Sequence, residues 1–215
     1  AFAGTITGVA RYEGEIPKLP GLKMEADPVC TMKHGEKTPT VELLVLGADR
    51  TMANVFVHVT KGIPEKTHPV PAEPVVLTQE GCIYTPHVFG IRAGQTLKIL
   101  NPDGTTHNVN AQCVVNKPVN LGMPPQMAET SAVFNEPEPI FPIRCDVHPW
   151  MKAYCAVMAH PYFDVTEKDG GFTLADLPAG DYEVQAWHEK LGEQTVTVTL
   201  GADETKELTF VFARP

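Results

Sequence analysis

Residues 54–60 alternate, with Val55, Val57 and Val59 on one face. A period of two places alternate side chains on opposite faces of a strand, so this stretch reads as part of a sheet. The same texture recurs at 5–13, 41–46, 75–77, 82–88, 96–101, from His107 onward, and at 132–134, 140–144 and 152–158. Helical periodicity is nearly absent. The proline-rich stretches 64–74 and 116–129 read as irregular connections. With 20 prolines and 17 glycines in 215 residues, the chain has the punctuation that many short strands require. The predicted fold is all-β, built from sandwiches.

After residue 160 the strands become more regular: 163–166, 172–174, 181–188, 194–200 and 207–212, with a turn at Lys168-Asp-Gly-Gly. This divides the chain into a first domain over 1–160, of which 1–80 is partly an N-terminal extension, and a second over 161–215. A unit of about 55 residues is marginal alone. It is therefore expected to pack on the first domain and to recruit the strand at 5–13.

Composition removes some functions. A hydrophobic content of 43% is ample for a core, and a net charge of −9 argues against nucleic acid, which needs a basic face. No apolar run approaches 18 residues, so no membrane span is expected. The chain begins with Ala and shows no charged-then-apolar leader, the form of a mature exported protein.

Chemistry concentrates in Cys145-Asp-Val-His148-Pro-Trp-Met151. Thiolate, imidazole and thioether are the side chains that hold mononuclear electron-transfer copper, with two His and one Cys in a plane and a weak axial Met. The missing histidine has its best donor in His107, within Asn-Pro-Asp-Gly-Thr-Thr-His-Asn-Val. Cu(I) favours sulfur and low coordination number, Cu(II) favours nitrogen, and a rigid mixed set serves both. Pro149 stiffens the loop. Asn108 is placed to hydrogen-bond across to the Cys145 loop and orient the ligands. A lone Cys-x-x-His pair is also half of a structural zinc site, but no second pair occurs.

The loop Cys-x-x-His-Pro-aromatic-Met, preceded by a strand bearing His-Asn-Val, resembles the copper loop of the amicyanin-type cupredoxins. The segment from Gly81 to Val88 matches the Gly-Cys-x-Tyr-x-Pro-His-Val of periplasmic cupredoxin-like proteins, some labelled methylamine utilisation proteins. The resemblance runs from about Gly81 to His188. It implies a Greek-key cupredoxin sandwich with one copper on His107, Cys145, His148 and Met151, and electron entry through an exposed His148 edge. Around that edge an apolar patch of Pro149, Trp150, Met123, Pro124 and Pro125 would form. Trp150 buried as a shield over the metal is the opposing reading. The chain departs from amicyanin in being about twice as long and in its extra cysteines. The stretch from Asp169 to Val184 resembles the transthyretin-like, carboxypeptidase-regulatory type of sandwich, a family without a single chemistry.

If Cys145 binds copper, four cysteines remain, and they allow three connectivities. The expected pairs are Cys30–Cys82 and Cys113–Cys155, which would place the protein in an oxidising compartment, the periplasm or the exterior. His87 is the rival first ligand and is read as structural or supporting. His188, with Trp187, is read as a cover for the metal or as a rim residue. No nucleophile elbow, His-Glu-x-x-His, phosphate loop or His-x-His pair occurs, and a metal with four filled positions has no place for substrate. The expectation is a non-enzymatic carrier passing electrons to a redox partner such as cytochrome c or a periplasmic dehydrogenase or oxidase. The acidic surface favours a basic partner. Copper delivery, storage or sensing is the second reading, and a structural module with a degenerate site the third.

Overall fold

The computed structural model describes residues 3–214. In chain order the strands are β1 (Ala3–Glu13), β2 (Phe56–Lys61), β3 (Val75–Thr78), β4 (Val88–Arg92), β5 (Thr96–Leu100), β6 (His107–Ala111), β7 (Val119–Met123) and β8 (Glu129–Val133). They continue as β9 (Glu138–Arg144), β10 (Lys152–Met158), β11 (Phe163–Val165), β12 (Gly171–Pro178), β13 (Gly180–His188), β14 (Gly192–Leu200) and β15 (Thr205–Ala213). A short helix, α1 (Pro28–His34), precedes β2. The fold is all-β, as the alternation predicts. Among the described residues no helix is long and apolar enough to cross a membrane.

The chain forms two compact units, each with its own core, but a single cut does not separate them. One seam between the units lies between Ala159 and His160. Residues through Lys18 and the segment Glu42–Thr67, however, cluster with the part from His160 onward. The reason lies in the ladders. The first unit has sheets ordered β12-β1-β15 and β11-β2-β13-β14, so β1 and β2 are interior strands of sheets whose other members follow residue 160. β1 runs antiparallel to β12 and parallel to β15. Ile6 and Tyr12 from β1, Val57 and Val59 from β2, and Phe172, Val184 and Phe210 share one core.

The second unit carries the metal-ligand candidates. Its sheets are ordered β4-β10-β9-β6-β7 and β3-β5-β8. Leu77, Leu97 and Ile99 from the smaller sheet meet Ile91, Val109, Ile143 and Val157 from the larger in one core. Each such side chain contributes about 1.5–3 kcal/mol when fully buried.

Local readings differ in four places. Residues 41–46 make one isolated bridge, at Leu46, rather than a strand, and 82–88 make one bridge at Thr85 before β4 begins at Val88. The region 116–129 holds β7, which fits between Pro118 and Pro124. The fourth is α1. Asp27 caps it, accepting from the amides of Val29 and Cys30 at 2.8 and 3.3 Å, Pro28 opens its first turn, and Gly35 ends it at φ 58°.

Candidate metal centre

Two turns position the donors. At Asn101-Pro-Asp-Gly the Asn101 side chain accepts from the amide of Asp103 at 3.2 Å and donates to the carbonyls of Thr105 and Met123. That brace sets His107 as the first residue of β6, paired with Met123 of β7. The second turn leaves β9. The amide of Cys145 donates to the carbonyl of Met151, that of Met151 to the carbonyl of His148, and that of His148 to Cys145 Sγ at 3.3 Å. Three bonds inside seven residues close the loop on itself. Asp146 locks it from outside: its carboxylate accepts from Asn108, Asn110 and Asn120, while its amide donates to Asn108 Oδ1 at 2.6 Å.

His107, Cys145 and His148 are all buried, and one ligand atom from each lies within 4.8 Å of the others. The Nδ1 atoms of the two histidines are 2.9 Å apart, and Cys145 Sγ is 3.8 Å from that of His148. The outer nitrogens face carboxylates: His107 Nε2 to Asp103 and His148 Nε2 to Asp27, each at 2.9 Å. Carboxylates accept, so the protons belong on Nε2 and each Nδ1 presents a lone pair. Two lone pairs at that distance repel unless a cation, proton or metal, lies between them. The donor set therefore fits a metal ion.

The electrostatics likewise favour a cation, proton or metal, between these donors. Burial raises the Cys145 thiol, but hydrogen bonding with His107 and from the amides of Asn108, His148 and Val147 outweighs it and brings the pKa down to about 7. The thiolate, the form that binds metals, is thus accessible near neutrality. Burial opposes a charge on His107, yet Asp103 and Cys145 hold its pKa above the ordinary value. Asp103 is itself buried, but His107, Lys33 and the amides of Cys82 and Gly81 keep it well below the usual carboxylate range. Gly81 and Cys82 both have positive φ, 69° and 55°, which turns their successive N–H groups onto that one carboxylate.

Sequence reading missed α1, and α1 supplies the support behind both imidazoles. Asp27 binds His148, and Lys33 bridges to Asp103 at 2.9 Å behind His107. Cys30 forms a disulfide with Cys82, the first of the two predicted pairs. The second is corrected: Cys113 and Cys155 are free, buried thiols. Cys155 of β10 pairs with Phe141 of β9, and the register of β6 against β9 carries Cys113 toward that same Phe141 from the other side. A whole strand between them implies about 10 Å from Cα to Cα, beyond the reach of a disulfide.

Met151, the fourth expected donor, closes the loop and is buried in the same core as Cys145. The expected exposed His148 edge is also corrected. His148 is only 2% exposed, its outer nitrogen is covered by Asp27 and Cys30, and Met123 is fully buried. Trp150 is half-buried, 5.0 Å from the His148 ring between centroids, and donates to the carbonyl of Cys82. His87 is not in this cluster; its Nδ1 lies 3.1 Å from the carbonyl of Lys152. His188 belongs to the other unit, buried beside Phe212 with Nδ1 accepting from the amide of Lys190.

No family model and no curated protein matches the chain. Among solved structures it is similar to the copper-containing nitrite reductase NirK from Thermus scotoductus SA-01, at 18% identity and TM-score 0.37, over 46% of this chain. It spans about a quarter of that protein, 25%. Amicyanin from Paracoccus versutus is 25% identical over 47% of this chain and 97% of its own, at TM-score 0.35. A purple cupredoxin from Nitrosopumilus maritimus is 22% identical over 39% and 99%, at TM-score 0.33. The donors of this chain, rather than these likenesses, support the reading that follows.

Proposed function

We propose that the second unit binds one copper ion through Nδ1 of His107, Nδ1 of His148 and Sγ of Cys145, with Met151 as a weak fourth ligand. Its role would be to pass single electrons between partner proteins. The observation that carries this reading is the buried convergence of two imidazoles and one thiol of lowered pKa. Copper would supply a one-electron couple tuned by its sulfur and nitrogen donors. The chain's own part is to hold those donors still. Asp27 and Asp103 fix the two rings by their outer nitrogens, and Asn108 and Asp146 fix the loop, so little moves when charge changes. The Cys30–Cys82 disulfide supports a periplasmic or extracellular setting. A basic redox partner, such as a cytochrome c or a periplasmic dehydrogenase or oxidase, suits the net charge of −9.

Cu(II) added to the purified protein should give an intense visible sulfur-to-copper absorption that disappears in Cys145→Ser. A colourless adduct, or colour that survives the substitution, overturns the proposal. One observation favours a second reading, copper holding or delivery: the buried His148 lacks the open edge that fast electron exchange uses. Rapid self-exchange with a reversible couple selects electron transfer. Release of copper on reduction selects delivery.

A further inference from the structure

The disulfide behind the centre is itself built like a metal site. Cys30 Sγ lies 3.6 Å from Nε2 of His148, and both sulfurs fall within 4.8 Å of a His148 nitrogen. Cys82 groups equally closely with Asp103 and His107. We propose that Cys30 and Cys82, once reduced, form a second metal site, one that takes Cu(I) as a bis-thiolate beside His148. This goes beyond the electron-transfer reading and does not require copper in the first centre.

A dithiol reductant gives two electrons and two protons; the S–S bond breaks, two S–H bonds form, and the reductant leaves as its own disulfide. Cu(I) then replaces the two thiol protons, which go to solvent, and two Cu–S bonds form without change of copper oxidation state. Soft thiolates in a pair select Cu(I). Zinc would want four ligands, and the carboxylates are already committed: Asp103 to Gly81, Cys82, His107 and Lys33, and Asp27 to His148 and the first turn of α1. The N–H of His148, with Nε2 3.6 Å from Cys30 Sγ, offsets part of the charge of the thiolate pair. Cys30 and Cys82 are both fully buried, Cys30 as the one buried residue of the seven-residue α1, so reduction requires local opening of the chain around them.

The test uses the full chain under argon. Protein as purified, and protein reduced with dithiothreitol and desalted, are titrated with Cu(I) from its acetonitrile complex against a chromophoric chelator. The reduced form should bind one equivalent more than the oxidised form. That extra equivalent should vanish in the double variant Cys30→Ser, Cys82→Ser and persist in Cys145→Ser. In wild-type protein Cu(I) should protect Cys30 and Cys82 from iodoacetamide after reduction, which decides the matter even if the double variant does not fold. Three results overturn the proposal: no added equivalent, no new thiols on native reduction, or an added equivalent that leaves Cys30 and Cys82 open to alkylation. Failure of the electron-transfer reading would show separately, as absence of the Cys145-dependent colour in the oxidised protein.

Discussion

Asp103 spends both carboxylate oxygens on four donors, one of them His107 Nε2. An amide there would keep the shape but turn an N–H toward other N–H groups and release the imidazole from its fixed tautomer. Asp103→Asn should weaken copper binding by about 10–100-fold, the usual cost of losing such a partner, measured by competition with a chromophoric chelator. Glu138 is a second buried carboxylate and is remote from the loop. Burial raises its pKa, but the amides of Asn116, Val114 and Val115 and the Asn116 side chain outweigh that and hold it below the ordinary 4.5. Because the folded value is depressed, the stability it brings is present above about pH 4.5 and is lost as pH falls through the folded value. Glu138→Gln should cost about 2 kcal/mol at neutral pH and flatten the acid limb of a stability–pH profile. An unchanged acid limb would show that the four bonds contribute nothing net.

At the scale of elements, α1 joins folding to the site through one residue. Asp27 caps the helix with one oxygen and holds His148 with the other. Ser at this position still caps but has no carboxylate, whereas Ala does neither. Asp27→Ser should keep the melting temperature near wild type and lose copper affinity. Asp27→Ala should lose affinity and also about 1 kcal/mol of stability. Equal melting losses in both would mean that the cap is irrelevant. The cues for α1 were in the sequence, since Asp-Pro before and Gly35 after are start and stop signals. Seven residues with one buried side chain are simply too few to show a helical period. β7 was hidden for a different reason: prolines flank it without entering it, and Asn120 and Gly122 are poor strand residues, so composition over 116–129 masks the alternating Val119, Leu121 and Met123. The loop of candidate ligands was legible because its chemistry is local, with Cys145, His148 and Met151 in seven consecutive residues. Asp27, Lys33 and Asp103 were not, because their partners are fixed by sheet order and by the Cys30–Cys82 bridge, which no local pattern reveals.

On the scale of the whole molecule, strand borrowing governs how the chain can come apart. Residues 161–215 alone lack β1 and β2, one interior strand from each of their two sheets, so the contiguous division at 160 does not describe a folding unit. Two cores without a shared member instead predict two unfolding events along one chain. The tryptophans divide between them, Trp150 in the unit with the candidate ligands and Trp187 in the other. Trp187→Phe leaves a reporter of the first event, and Trp150→Phe leaves a reporter of the second. A ligand that binds only the folded form stabilises by mass action, about 2.7 kcal/mol at a hundredfold excess over Kd. Copper should therefore raise the transition seen by Trp150 emission and leave that seen by Trp187 in place. If both rise together, the two cores unfold as one cooperative body, and if only Trp187 responds, copper binds outside the cluster of His107, Cys145 and His148.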